Sequence, residues 1–251
     1  MKICLIYNVW SDWDLLEYSY NALRPLVDGA IIVGSEKSNY GEVFEIPEKW
    51  KTNELFIREP QFSYALHAET DKRNFGLKIA KELGYTHFVT LDSDEIYDKE
   101  DFELGKQMFI DNPNLNGIVC PCNVYVKSPS LTIGRDITLI PFIHKMYEFT
   151  RHEFNRFYPN AWINGQIRID PSRSLNIVKG IEYTESILCH HYSWVRSDIN
   201  RKIRNSTAKA NIERTNIRKN FFHLKEGDVC ELYPGKPLVR VQVKYGLPEF
   251  Y

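Results

Sequence analysis

The feature that most constrains this chain lies at residues 87–95. Five residues, His87-Phe88-Val89-Thr90-Leu91, read as a short buried strand, and Asp92-Ser93-Asp94-Glu95 follow it without a break. A strand of that composition needs cover on both faces, and three carboxylates in four residues need counter-charge or water. In open parallel sheets, ligands bind outside the carboxyl ends of the strands, so position alone marks the cluster as a candidate site. The preceding segment supports a parallel sheet. Phe75, Ile79 and Leu83 share one face of a helix opened by Thr70 or Asp71, with Gly84 as its C-terminal cap.

The same alternation opens the chain. Residues 3–7 form an apolar run, Asp12 can cap a helix through Leu15, Leu16 and Leu23, and residues 30–33 form a second run ended by Gly34 and Ser35. This is a βαβ pattern. Beyond it a helix is expected to start around Asp98. β-branched and aromatic runs follow at 117–126, 137–143, 162–169 and 187–194, and a long polar helix is expected over 198–219. No repeat or linker interrupts the chain. With 251 residues, 43% hydrophobic and 14% aromatic, it can build one sizeable core. The expectation is a single α/β domain with a mixed sheet.

Several classes fall away. The longest nearly apolar run, 137–143, is far short of the roughly 20 residues that span a bilayer. The first apolar stretch stops at Asn8, too soon for a signal-peptide core, so the host cytoplasm is the expected location. Five scattered cysteines do not read as a disulfide framework. Cys120 and Cys122 have C-x-C spacing with no second pair at zinc-site distance, and read as buried strand. A net charge of -1 gives no automatic case for nucleic acid.

The acidic cluster admits several readings. Hard carboxylate oxygens suit Mg²⁺ or Mn²⁺, whereas a solvated helix N-terminus would explain the same residues through the helix dipole. An EF-hand can be laid on Asp92, Asp94 and Glu103, but Ile96 and Tyr97 stand where the loop needs a ligand and a glycine. A phosphohydrolase of the haloacid-dehalogenase type also places Asp-x-Asp after a strand. Ile96 and Leu232 depart from that pattern.

Lys72-Arg73-Asn74-Phe75-Gly76-Leu77, followed by Gly84 and then by the strand and Asp92-Ser93-Asp94-Glu95, resembles the glycosyltransferase family 2 pattern. Cys189-His190-His191-Tyr192-Ser193-Trp194-Val195-Arg196 is similar to the family's late His-containing strand. The resemblance covers roughly residues 1–205. It implies a GT-A-type, Rossmann-like α/β fold: a nucleotide-sugar-binding half over 1–100, an acceptor-side half over 101–195, and a basic helix and tail over 196–251. It also implies transfer of a sugar from a nucleoside diphosphate, a UDP-sugar first among them, to a hydroxyl acceptor.

Under that resemblance Asp94 binds Mn²⁺ or Mg²⁺, Asp92 contacts the ribose or the metal, and His191 supplies a further ligand, with His190 on the opposite side of its strand. Glu95 orients the sugar or caps the next helix. Asn8, Glu36, Arg73 and Asn74 frame the nucleotide, and Lys202 and Arg204 reach its diphosphate. The family's usual base lies in a Gly-x-Val-His-Glu segment that follows an Arg-Phe pair. Here Arg168-Ile169 replace His-Glu, so Asp170 and Glu185 stand as substitutes, and both inverting and retaining outcomes stay open. Eight basic residues from Arg196 to Lys219 suit a phosphate-rich acceptor such as DNA with hydroxymethylated bases. They also suit a non-catalytic nucleic-acid-binding protein.

Overall fold

A computed structural model describes residues 1–153, 171–177, 179–206 and 217–250. In chain order the elements are β1 (Ile3–Val9), α1 (Trp13–Leu23), β2 (Gly29–Gly34), β3 (Leu55–Ile57), α2 (Ala65–Glu82), β4 (His87–Asp92), β5 (Glu95–Ile96), α3 (Lys99–Asp111), β6 (Gly117–Val126), β7 (Leu131–Lys145), β8 (Ile181–Tyr183), β9 (Cys189–Trp194), α4 (Ile199–Asn205), α5 (Ile217–Asn220) and β10 (Val239–Arg240). One sheet runs in the order β3-β2-β1-β4-β7-β6-β9-β5, with β10 against β7 and β8 against β6. β3, β2, β1 and β4 are mutually parallel, and β7 joins β4 antiparallel. This is the mixed, Rossmann-like α/β sheet that the resemblance implied.

The period of two along β1 divides the core. Ile3, Leu5, Tyr7 and Val9 pack with Trp13, Leu15 and Leu16 of α1, while Cys4 and Ile6 meet Ile31, Val33, Leu77 and Ala80 on the α2 side. Because both faces are covered, the central strands are apolar throughout. α2 lies unusually close to the sheet at Gly76, where an added Cβ would sit 2.5 Å from Ile6 Cγ2.

Several boundaries differ from the sequence reading. α2 starts at Ala65, about a turn before Thr70, because residues 65–69 carry no apolar stripe to announce it. The strand expected at 137–143 is the second half of the longer β7, and the run at 162–169 lies outside the described residues. The helix expected over 198–219 stops at Ser206, whose backbone is extended (φ -69°, ψ 139°). There the Asn205 side chain donates back to the Arg201 carbonyl at 3.0 Å, one of the local alternatives by which Asn competes with helix. Among the described residues no helix is long and apolar enough to cross a membrane.

Candidate active site at the end of β4

β4 ends at Asp92, and a tight turn carries the chain into β5. The helix that follows begins only at Lys99, capped by a reciprocal Asp98–Asp101 box. The acidic cluster is therefore separated from that helix by β5, and the helix-dipole explanation does not reach it. β5 pairs antiparallel with β9, setting Glu95 opposite His191, and the Tyr192 N–H donates to the Asp94 carbonyl at 2.8 Å. This short pairing brings the two distant segments together.

Arginines take up most of the carboxylate oxygens. Arg73 of α2 donates to Asp92 Oδ1 at 3.0 Å, and Arg173 bonds Asp92 Oδ2. Arg173 also grips Glu95, at 3.0 Å to Oε2 and 2.8 Å to Oε1. Arg196, just past β9, pairs with Asp94 Oδ2 and with Asp12. Asp12 stands at the N-terminus of α1, yet makes no side-chain cap.

These partners set the charges. Burial pushes the Asp94 carboxyl up, but His191 and Arg196 outweigh it and hold the group well below the usual carboxylate range. Burial likewise raises Asp92, and Arg173 with Arg73 bring it below its ordinary value. For Glu95, which is fully buried, burial prevails and its pKa lies above the ordinary one.

The cluster opens on a cavity of about 260 Å³. Apart from Val9 and Trp10, every lining residue is polar or charged, including Asn8, Asp12, Lys37, Lys72, Arg73, Asp92, Asp94, His191 and Lys202. Such a lining suits a highly polar ligand. Two walls are clamped together: Glu42, from the hairpin of residues 36–44, accepts from Arg204 Nη2 at 3.0 Å and Asn205 Nδ2 at 2.7 Å of α4. The Arg201 guanidinium lies 4.8 Å over the Phe44 ring.

A divalent cation was implied by the resemblance, and one pair of donors fits it. Asp94 Oδ1 is buried without a hydrogen-bond partner, and His191 Nε2 lies 3.5 Å from it. An anionic oxygen and a neutral imidazole nitrogen at that separation can share one ion; burial lowers the His191 pKa but Asp94 outweighs it and holds the ring above its ordinary value, so the ion would bind by displacing a proton from it. Among the described residues no group of three His, Cys, Asp or Glu side chains could hold a metal, so water and ligand oxygens would complete the coordination. Asp92, with both oxygens on guanidinium groups, does not join the pair.

Other sequence-selected residues are distributed as follows. Asn8 and Lys202 line the cavity. Asn74 faces away, accepting from the His152 N–H at 2.7 Å and donating to its carbonyl at 3.0 Å. Glu36 is exposed, its N–H bonded to Glu59. Arg204 points to Glu42 rather than into the cavity. Glu95 holds Arg173 and is absent from the cavity wall. Glu185 is exposed and paired with Arg135 at 3.2 Å. Asp170 lies outside the described residues.

His190 turns to the other face of β9, accepting from or donating to the Tyr125 hydroxyl at 2.7 Å. Of the basic residues from Arg196 on, Arg196, Arg201 and Arg204 are committed to carboxylates, which weakens the case for a nucleic-acid surface there. Lys209 and Arg214 lie outside the described residues. Sequence reasoning missed Lys72, Arg173 and Asp12. Lys72 stood inside a quoted motif, but nothing in the sequence links Arg173 to the cluster.

No family model and no curated protein sequence matches this chain. Among solved structures it is similar to residues 1–349 of S. aureus TarS at 14% identity, over 81% of this chain and 64% of that one, with a TM-score of 0.41. For a second S. aureus TarS structure the values are 15%, 81%, 38% and 0.43. For CMP:2-keto-3-deoxy-manno-octonic acid synthetase complexed with CTP they are 9%, 58%, 71% and 0.34. The chain thus spans under two thirds of either TarS structure, and at these identities and TM-scores the likeness is distant.

Proposed function

We propose that this chain is a nucleotide-sugar-dependent glycosyltransferase that moves a sugar from a nucleoside diphosphate to a hydroxyl acceptor. The observation that carries the reading is the pair Asp94 Oδ1 and His191 Nε2, 3.5 Å apart at the carboxyl end of β4, on the wall of a polar cavity that also presents Lys37, Lys72 and Lys202. Breaking the bond between a sugar and a diphosphate builds negative charge on the leaving phosphate oxygens, and fixed cations aimed at them lower the barrier. Mn²⁺ or Mg²⁺ held by Asp94 and His191 would supply Lewis-acid neutralisation of that charge. Lys37 and Lys202, from the two clamped walls, add their charge around the same cavity. Arg196 fixes the Asp94 carboxylate through Oδ2 and leaves Oδ1 for the ion.

Calorimetric titration with a panel of nucleoside diphosphates, each with and without Mn²⁺, tests this. The expected result is Mn²⁺-dependent binding that Asp94→Asn abolishes while the variant still melts cooperatively. Nucleotide affinity that ignores both Mn²⁺ and Asp94→Asn would remove the assignment.

A further inference from the structure

Position 19 breaks the pattern of its helix. The buried face of α1 includes Leu15, Leu16, Ser19 and Leu23, so a hydroxyl stands one turn along an apolar stripe, and it is fully buried. A serine inside a helix commonly bonds the carbonyl four residues back or faces solvent. Ser19 instead reaches across 76 residues of chain, its Oγ donating to the Glu95 carbonyl at 2.6 Å. A second hydrogen bond joins Ser19 Oγ to the Tyr7 hydroxyl at 3.0 Å. Tyr7, also fully buried, lies on β1 in the same apolar cluster as Leu5, Val9 and Trp13, where a phenylalanine would pack without needing a polar partner. Two polar side chains thus sit in the apolar layer beside the acidic cluster, and neither lines the cavity.

Donor counting gives this hydrogen-bond chain its direction. A serine hydroxyl has one hydrogen; given to Glu95, it leaves Ser19 Oγ to accept from Tyr7. Burial pushes the Tyr7 hydroxyl up, so it keeps its proton and donates. Strand geometry explains why the chain ends on Glu95. In an antiparallel pair, successive residues turn their carbonyls alternately toward the partner strand and away from it. The Asp94 carbonyl faces β9, where it accepts from the Tyr192 N–H at 2.8 Å, so the Glu95 carbonyl faces the other way. β5 is the last strand in the sheet order, and among the described residues no strand lies on that side. Glu95 is fully buried, and a buried carbonyl needs a donor. α1 packs against β5, and Ser19 supplies it.

The turn that presents Asp94 is thereby held from two sides, by β9 through the Asp94 carbonyl and by α1 through the Glu95 carbonyl. β5 is only two residues long, so its own pairing does little to fix the 3.5 Å between Asp94 Oδ1 and His191 Nε2. We infer, on the basis of the metal-dependent glycosyltransferase reading, that Ser19, oriented by Tyr7, is a positioning residue for the cation: it fixes the backbone that carries Asp94 so that Oδ1 and His191 Nε2 face one ion. Neither Ser19 nor Tyr7 touches the ion or the nucleotide.

The test is titration of the full chain with Mn²⁺, alone and with UDP, read by electron paramagnetic resonance of the free and bound ion, for wild type, Ser19→Ala and Tyr7→Phe, with thermal melts to establish folding. Groups that hold metal ligands in place typically govern metal affinity by about tenfold to hundredfold. Ser19→Ala leaves the Glu95 carbonyl without its donor, and should weaken Mn²⁺ binding by that factor and change the zero-field splitting of the ion that still binds. Tyr7→Phe keeps the Ser19 donor but removes the group that orients it, and should weaken binding by about threefold to tenfold. A folded Ser19→Ala with wild-type Mn²⁺ affinity and spectrum overturns the inference, even where its melting temperature falls, because Ser19 is then structural only. If Ser19→Ala does not fold, Tyr7→Phe decides, and wild-type affinity and spectrum in that variant overturn the inference equally. Those outcomes leave the glycosyltransferase reading standing, whereas wild type that binds no Mn²⁺ with or without UDP sinks the metal-dependent reading as well.

Discussion

Arg173→Met removes the guanidinium that joins Asp92 to Glu95 while keeping most of the aliphatic stem. The two carboxylates respond differently. Asp92 retains Arg73 at 3.0 Å, and its side chain is 32% exposed, so water can replace the lost bond. Glu95 is fully buried and has Arg173 as its paired cation. Stripping the partner from a buried charge costs about 3–5 kcal/mol. Unfolding entropy of about 2.1 cal/mol/K per residue over 251 residues makes each kcal/mol worth about 2 °C. Arg173→Met should therefore lower the melting temperature by about 6–10 °C in a calorimetric scan. The double variant Arg173→Met/Glu95→Gln removes the orphaned charge, and its amide oxygen can still accept from the Asp92 N–H that Glu95 Oε2 now receives at 3.1 Å. It should recover at least half of the loss. A single variant within about 2 °C of wild type, or a double variant no more stable than the single one, would refute the claim that Arg173 neutralises Glu95.

Glu42→Ala should open the clamp between the hairpin of residues 36–44 and α4. Its stability cost is about 1 kcal/mol or less, because the paired side chains are 30–48% exposed, but nucleotide affinity in calorimetry should fall several-fold as Lys37 and Lys202 lose their relative placement. Hydrogen bonds from Arg204 and Asn205 lower the Glu42 pKa from 4.5 to about 2. Its contribution is thus complete above about pH 4.5 and is lost as pH falls toward 2, so urea melts of wild type and Glu42→Ala should converge across that window. An unchanged affinity would show that the clamp does not shape the cavity. Gly76→Ala places a Cβ 2.5 Å from Ile6 Cγ2 and 3.0 Å from Val33 Cγ2. Overpacking of this kind costs about 1–3 kcal/mol, of which alanine's better helix propensity offsets up to about 1. The melting temperature should fall, and nucleotide binding should weaken as α2 carries Lys72 and Arg73 off the sheet. A rise in melting temperature would mean that the helix shifts freely.

The legible parts of the fold were those with a local cause. β1, β2 and β4 announce themselves as short apolar runs ended by polar or glycine residues, and the C-terminal end of α2 by Leu83-Gly84, whose glycine takes φ +73°. The cluster at 92–95 was legible as a site because its position follows from the end of β4. What was not legible depends on pairing over long separations. Nothing near Arg173 marks it as the partner of Asp92 and Glu95, 81 and 78 residues away. Within α2 the motif was visible, but roles depend on which face turns inward. Residues two apart on a helix point about 200° from each other. Lys72 therefore lines the cavity while Asn74 meets the His152 backbone.

The arginines also explain how a cavity proposed to take a diphosphate can adjoin so many carboxylates. Asp12, Asp92, Asp94 and Glu95 contribute four negative charges, and Arg73, Arg173 and Arg196 contribute three positive ones. Left unpaired in a poorly solvated cleft, the carboxylates would repel each other and the incoming phosphates, by about 4 kcal/mol per pair at 4 Å even at an effective dielectric of 20. Paired, these four carboxylates and three guanidinium groups sum to one net negative charge before His191, which Asp94 draws toward its charged form, is counted, and Asp94 Oδ1 is the oxygen left without a hydrogen bond. A divalent ion there, with His191 deprotonated, would turn that sum from -1 to +1. The arginines thus do not compete with the ion for its site. They saturate the other oxygens, so that a single carboxylate oxygen beside His191 is the place where a cation gains most, and the surrounding surface is left fit to receive an anion.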